Sequence, residues 1–352
     1  MVDDGRGMFL VWIDFRRRHL RFIYVPIISF VASPFSSFRK QKYIRKIVKY
    51  FIQDLGDSKN RRIRVVYDFA DSPHTIGDFM VVVMLCRFLA LSSCSIILTI
   101  IDSDRRSDWN ELSKIAQNKR VDELYNLANY LLPKSAKLEI VNKHHVLEGD
   151  INLDSSSFYS IAPYFLHLLI TKYRWAMPDD FLLKVGASGA EVQYIAWHVR
   201  KASYDNRRNL TSISIKSDFE ILQKRFPNHA IMLISDSAGL EDAFLILTGS
   251  RDINPQKLNG VQILPQPEPG FQNAIPAVLG AKFYFQRGGG GIGMAPMFSS
   301  VPYLYLCPDK TYFYGWRNHT ALPWSTENQL FVYVKKKIDK HSIINFIDKL
   351  KV

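Results

Sequence analysis

The feature that most constrains the fold is an alternation, in the second half of the chain, between short apolar β-branched runs and longer helical patterns. Strand patterns at 192–199, 230–235, 261–264, 282–286 and 303–306 are separated by helical patterns at 216–225, 240–247 and 271–279. A glycine run and a short helix stand before the last strand. Intervening helices let successive strands run in one direction, so this order predicts a parallel sheet covered on both faces. No unit of 20 to 50 residues repeats, which sets solenoids aside.

The first half carries the same order. A strand pattern at 63–68 leads into an apolar segment at 80–91, long enough for a helix. Ser95 to Ile101 then runs apolar almost without a break, as a strand buried on both faces does. A helix at 121–132, a strand at 137–141 and a helix around 161–173 extend the series. The small, turn-prone stretch Val185-Gly186-Ala187-Ser188-Gly189-Ala190 reads as a hinge. The expected class is therefore α/β, with two Rossmann-like domains facing a cleft: a basic arm at 1–58, a first domain at 59–188 and a second at 189–352. With 352 residues the chain has room for about two domains. Its three cysteines, Cys86, Cys94 and Cys307, are too few and too scattered for a disulfide framework or a zinc cluster, and imply a reducing compartment such as the cytoplasm.

Charge is concentrated at one end. The first 64 residues hold 15 Lys/Arg against 5 Asp/Glu, ten of the thirteen net positive charges of the chain. The remainder is nearly neutral, so no nucleic-acid-binding face is expected. Within the arm, the apolar run Phe22 to Val31 is about half the roughly 20 residues that span a bilayer and is interrupted by Pro26. It is expected to be neither a spanning helix nor a signal peptide. From Tyr43 to Phe51 the apolar residues Tyr43, Ile44, Ile47, Val48 and Phe51 recur at helical spacing among Lys42, Arg45, Lys46 and Lys49, the pattern of a basic amphipathic helix. Two readings stay open: an element buried against the first domain with a solvated basic flank, or an anchor to an anionic membrane surface, here the inner membrane face.

Residues fit for chemistry gather where strands end. Four consecutive glycines, Gly288, Gly289, Gly290 and Gly291, followed by Gly293, close one strand before a short helix and offer backbone N–H groups suited to a phosphate. Gly288, Gly290 and Gly293 also satisfy the dinucleotide spacing G-x-G-x-x-G with Asp309 downstream, which makes a nicotinamide-dependent oxidoreductase the rival enzyme reading, and a non-catalytic membrane-associated protein that binds a nucleotide or glycan is the rival from outside the enzymes. Too few residues follow for the long helix such a site needs, and Pro296 falls within them. His198 and Arg200 sit two apart at the end of a strand and so share a face, where the guanidinium suits a diphosphate. Ser235 and Asp236 end the next strand, to hold a nucleotide or cap a helix. Glu268, in the Pro-rich loop after a further strand, can accept from ribose hydroxyls or be a solvated carboxylate. Across the expected cleft, Asp71, His74 and Asp78 crowd the loop before the first long helix and are candidates for a general base.

In order, these segments resemble the GT-B glycosyltransferases, and within them the fucosyltransferase-like group, which carries His-x-Arg-x-Gly-Asp on a strand, then a strand ending Ser-Asp, then a small-residue loop. His198-Val199-Arg200 matches the opening, Ser235-Asp236 the middle and Gly288 to Gly293 the last; Lys201-Ala202-Ser203 stands where x-Gly-Asp is expected. Ile76-Gly77-Asp78 is similar to the acceptor-domain entry of several such enzymes. The resemblance implies transfer of a sugar from a nucleotide-diphosphate donor, with GDP-fucose as the implied example, to a glycan or lipid-linked acceptor. In it the first domain faces the acceptor and the second binds the donor. No resident cofactor is expected. With no Asp-x-Asp in the chain, charge on the leaving diphosphate is expected to fall to Arg200, loop N–H groups and a helix dipole rather than to a metal.

Overall fold

The computed structural model describes residues 62–69, 75–102, 113–141, 151–154, 162–184, 192–200, 210–267, 271–288, 291–307, 323–333 and 340–350. They form two separate sheets. In the first half the order is β1 (Arg62–Asp68), α1 (Ile76–Leu91), β2 (Ser95–Ile101), α2 (Lys114–Leu131), β3 (Lys137–Val141), β4 (Ile151–Asp154) and α3 (Ala162–Thr171). The strands lie β3-β2-β1-β4, all parallel.

The second half runs β5 (Tyr194–His198), α4 (Ser212–Arg225), β6 (Ala230–Ile234), α5 (Ser237–Thr248), β7 (Gln256–Leu258), β8 (Val261–Pro265), α6 (Phe271–Leu279) and β9 (Phe283–Arg287). A 3-10 turn (Gly291–Gly293), α7 (Met294–Met297), β10 (Tyr303–Cys307), β11 (Gln329–Tyr333) and α8 (Lys340–Asp348) complete it. Strand order is β11-β10-β9-β5-β6-β8-β7, parallel except for the β7–β8 hairpin. Leaving out β7 and renumbering from β5, this is the doubly wound order 3-2-1-4-5-6. The first sheet is its opening, 3-2-1-4. In each sheet the chain winds outward from its first strand and later returns to that strand's other side. The switch points therefore lie between β1 and β4 and between β5 and β9, where open α/β sheets leave a crevice at the carboxyl ends of their strands.

Burial explains why α1 shows no amphipathic stripe. Its residues from Phe79 to Cys86 are all buried, because the helix is covered on every side. The first sheet contributes Ile63, Val65, Tyr67, Ile96, Leu98 and Ile100, α2 contributes Leu124 and Leu127, and the second half contributes Ile275, Ile292, Met294 and Phe298 to the same core. The halves are also joined through the segment after α3. Leu183 donates its N–H to Phe298 O at 2.8 Å, and the Phe181 ring meets Phe88 on one side and Trp324 on the other. The hinge expected at 185–190 lies outside the described residues, as does the arm at 1–58. A second core, built from Ile195, Trp197, Phe219, Leu222, Phe283, Phe285, Ile343 and Ile347, fills the other face of the second sheet.

Candidate functional site

Alternation along β5 decides where its terminal residues point. Ile195, Trp197 and Val199 enter the second core, while Tyr194 and Ala196 enter the shared one. His198 and Arg200 therefore lie on the Tyr194 side, facing toward the first half. Both are buried, at 8% and 7% exposure. His198 pairs in register with Gln286 of β9. Arg200 and Gly288 each follow that last registered pair by two residues, at the carboxyl ends of the neighbouring strands β5 and β9. Burial, reinforced by the Arg200 charge, pushes the His198 imidazole down to about 3. The ring is neutral across the physiological range, and its Nδ1 has no hydrogen-bond partner among the described residues.

The next strand end is braced rather than open. Ser235 Oγ donates to Val199 O at 2.6 Å, and Ser235 N–H donates to Gln266 Oε1 at 3.3 Å. Together these tie the ends of β5, β6 and β8 into one edge. Asp236 is the N-cap of α5, its Oδ1 accepting from Gly239 N–H at 2.7 Å. Of the two roles the sequence leaves open for Asp236, the geometry shows the cap. Gly239 has its own reason: a Cβ there would come within 2.0 Å of Ser235 Oγ.

The glycine run divides by function. Gly288 has φ of 92°, a left-handed turn that favours glycine, and its N–H donates to Leu306 O at 3.0 Å. Gly291 packs against the first half: a Cβ there would fall 2.5 Å from Gly77 N and 2.9 Å from Ile76 Cβ. Gly293 lies on the amide of Gln286, its Cβ position only 2.3 Å from Oε1, and that amide oxygen also takes the Tyr284 hydroxyl at 2.6 Å. Gly291 and Gly293 thus serve close packing. Gly289, Gly290 and Glu268 lie outside the described residues.

The contact of Gly291 with Gly77 brings the first half's candidates into the same place. Helix α1 begins four residues earlier than its apolar run because Thr75 caps it. Thr75 Oγ1 accepts weakly from Asp78 N–H at 3.5 Å and donates its own proton to Asp78 Oδ2. Asp78, half-buried, thereby sits in the first turn of a 16-residue helix. Asp71 and His74 belong to the loop outside the described residues.

Three buried side chains join the edge without a sequence signal of their own. Asp218 of α4, fully buried, meets Arg287 at 2.6 Å on the opposite face of the second sheet, next to Gly288. Burial pushes the Asp218 carboxyl up to about 7 against the pull of that guanidinium. Gln266 and Gln286 are the others, at 4% and 0% exposure. Among the described residues no three His, Cys, Asp or Glu side chains gather as a metal site, and no helix is long and apolar enough to cross a membrane.

No protein-family model and no curated protein matches the sequence. Among solved structures, the chain is similar to the Escherichia coli heptosyltransferase WaaC with ADP, at 9% identity and a TM-score of 0.44 over 82% of this chain and 99% of that one. It is also similar to the E. coli ADP-heptose lps heptosyltransferase II, at 13% identity and TM-score 0.45 over 82% and 97%. A glycosyl transferase family 9 structure from Veillonella parvula gives 11% and 0.43 over 83% and 90%. Likeness of this degree carries no conclusion about donor, acceptor or reaction, and adds nothing to the fucosyl resemblance; the fold stands on the two sheets themselves.

Proposed function

We propose that this protein is a glycosyltransferase of the GT-B kind, moving a sugar from a nucleotide-diphosphate donor to a glycan or lipid-linked acceptor. The observation that carries the proposal is the meeting of the two sheets at their carboxyl edges. Gly77 and Gly291 touch, so Asp78 on one side and the β5–β9 switch point on the other address one place. Arg200 holds the diphosphate, helped by N–H groups of the turn at Gly289 and Gly290, while the Gly288 N–H stays on Leu306 O. His198, neutral, takes or gives one hydrogen bond to the donor through Nδ1. Ser235 and Asp236 shape the edge rather than contact the ligand. One of Asp71, His74 and Asp78 supplies the base.

In the proposed reaction a carboxylate takes the proton of the acceptor hydroxyl as that oxygen attacks the anomeric carbon, and the carbon–oxygen bond to the diphosphate breaks with inversion. The charge that develops on the departing oxygen is met by Arg200 and the loop N–H groups. GDP-fucose remains the donor that the His198-Val199-Arg200 resemblance implies. The oxidoreductase reading loses ground on topology. A dinucleotide fingerprint follows the first strand of its sheet, whereas here the glycines follow β9, the fourth in doubly wound order. The helix after them has only four residues and contains Pro296.

A thermal-shift screen of GDP, UDP, ADP and NAD tests the proposal, since a ligand that binds only the folded chain raises its melting temperature. At least one nucleoside diphosphate should stabilise the parent, and the stabilisation should be lost in Arg200→Ala. Stabilisation by NAD alone, or an unchanged response in Arg200→Ala, would contradict it.

A further inference from the structure

Arg287 ends β9 and precedes Gly288, whose left-handed φ turns the chain toward the glycine run. Its side chain follows the alternation of Phe283 and Phe285, which fill the second core, and so leaves the sheet on the face away from His198. There it meets α4: Arg287 Nη2 and Asp218 Oδ1 are 2.6 Å apart, the carboxylate fully buried and the guanidinium mostly so. Neither Asp218 oxygen has a further hydrogen-bond partner among the described residues. A pair buried this deeply is a poor source of stability, because desolvation of both charges offsets their attraction and apolar side chains of similar size often do as well. What it supplies is direction: a planar guanidinium on a carboxylate fixes geometry in a way that packing alone does not.

The helix that carries Asp218 is fastened to the other side of the same strand edge. Leu210 N–H donates to Arg200 O at 3.2 Å, and Thr211 caps α4, its Oγ1 accepting from Ser214 N–H at 3.2 Å. Asp218 follows in the second turn of that helix. Arg200 is therefore linked through Leu210 and α4 to Asp218, and Asp218 through Arg287 to Gly288. The β5–β9 pairing stops at His198 and Gln286, short of both ends. Beyond that pair, this brace is what connects the two strand ends on the α4 side of the sheet.

We propose that Asp218 is a positioning residue, which holds Arg287 from α4 and so sets the spacing between Arg200 and the turn at Gly288. Asp218 acts through Arg287 and does not meet the donor. The use of that spacing to grip a diphosphate rests on the glycosyltransferase reading; the brace itself rests on the contacts above.

Two variants of the full chain test it by melting temperature, nucleotide titration and amide exchange followed by mass spectrometry. Asp218→Leu combined with Arg287→Met replaces the pair by apolar side chains and, at pH 8, above the Asp218 value of about 7, leaves the net charge unchanged. Melting should not fall, yet exchange should quicken in peptides covering Phe283 to Gly288. Whichever of GDP, UDP and ADP stabilises the parent most should bind roughly tenfold more weakly. Arg287→Lys, which keeps the charges and loses the fixed fork, should melt like the parent and bind that nucleotide more weakly, with faster exchange in the same peptides. Parent-like exchange and affinity in the variants that fold would overturn the proposal and leave the pair a structural contact only. A parent that binds none of the three nucleotides would sink the glycosyltransferase reading instead, and exchange then decides the brace alone: faster in the variants upholds it, unchanged overturns it.

Discussion

Replacing Gly291 by alanine adds one methyl group at the seam between the two sheets. Its nearest neighbours would be Gly77 N at 2.5 Å, Ile76 Cβ at 2.9 Å and Ile76 C at 3.1 Å. Contacts under 3 Å do not occur, and two of these three atoms are backbone in the first turn of α1, whose N-terminus is fixed by the Thr75 cap. No flexible side-chain tip can swing away, so the turn and the helix must separate by several tenths of an ångström. Overpacking of this kind costs about 1–3 kcal/mol, which in a chain of this size lowers the melting temperature by roughly 2–10 °C. Because the displacement falls between Asp78 and Gly288, nucleotide affinity should drop as well. Gly249→Ala is the control. Its φ of 81° makes alanine strained there, yet a Cβ would meet nothing within 4 Å and the position is remote from the seam, so melting falls slightly and affinity does not change. Differential scanning fluorimetry with nucleotide titration reads both variants. Parent-like melting and affinity in Gly291→Ala would refute the close contact and with it the shared site.

Four further outcomes follow. His198, held down to about 3, lets the folded chain bind fewer protons than the unfolded one, so its contribution is present above about 6.5 and falls as pH drops, by about 2 kcal/mol at pH 5. Asp218, pushed up to about 7, does the opposite, favouring the folded chain at low pH and losing that contribution as pH rises through 7. Between pH 5 and 7 the two offset each other: His198→Asn should leave stability falling as pH rises, Asp218→Asn should leave it falling with acid, and denaturant titrations at pH 5, 6 and 7 distinguish the slopes. Asp236→Ala should cost about 1 kcal/mol through loss of the α5 cap, whereas Asp236→Asn, which keeps an acceptor oxygen, should melt and bind nucleotide like the parent. Sugar transfer should persist in EDTA, and a loss restored by magnesium or manganese would count against an arginine-centred leaving-group site.

Elements that announce themselves by an unbroken apolar run flanked by turn residues are read from sequence to the residue. Strand 95–101 and helix 271–279 coincide with β2 and α6, the first nearly all apolar and the second apolar from Ala274 onward. The four-residue β4, Ile-Asn-Leu-Asp, alternates too briefly to stand out. Strand β11 begins with Gln329, which looks like a surface residue until its amide is seen donating to Ser299 O at 2.8 Å and Val301 O at 3.1 Å. The face shared by His198 and Arg200 is legible from two-residue alternation. What was hidden is tertiary: no spacing rule tells that Gly291 is small because Gly77 lies against it, that Asp236 answers Gly239 rather than a ligand, or that Asp218 is carried under Arg287 from a helix whose other acidic residue, Glu220, is exposed.

The central claim is that one nucleoside diphosphate binds where the two carboxyl edges meet. Amide exchange of the full chain, with and without a saturating concentration of the nucleotide that stabilises it most, tests this directly. Protection should appear together in three peptides distant in sequence: the end of β5 with Arg200, the strand end and turn spanning Gln286 to Gly293, and the first turn of α1 around Asp78. Protection confined to other segments, or at the second sheet with α1 unaffected, would contradict a site shared by both halves.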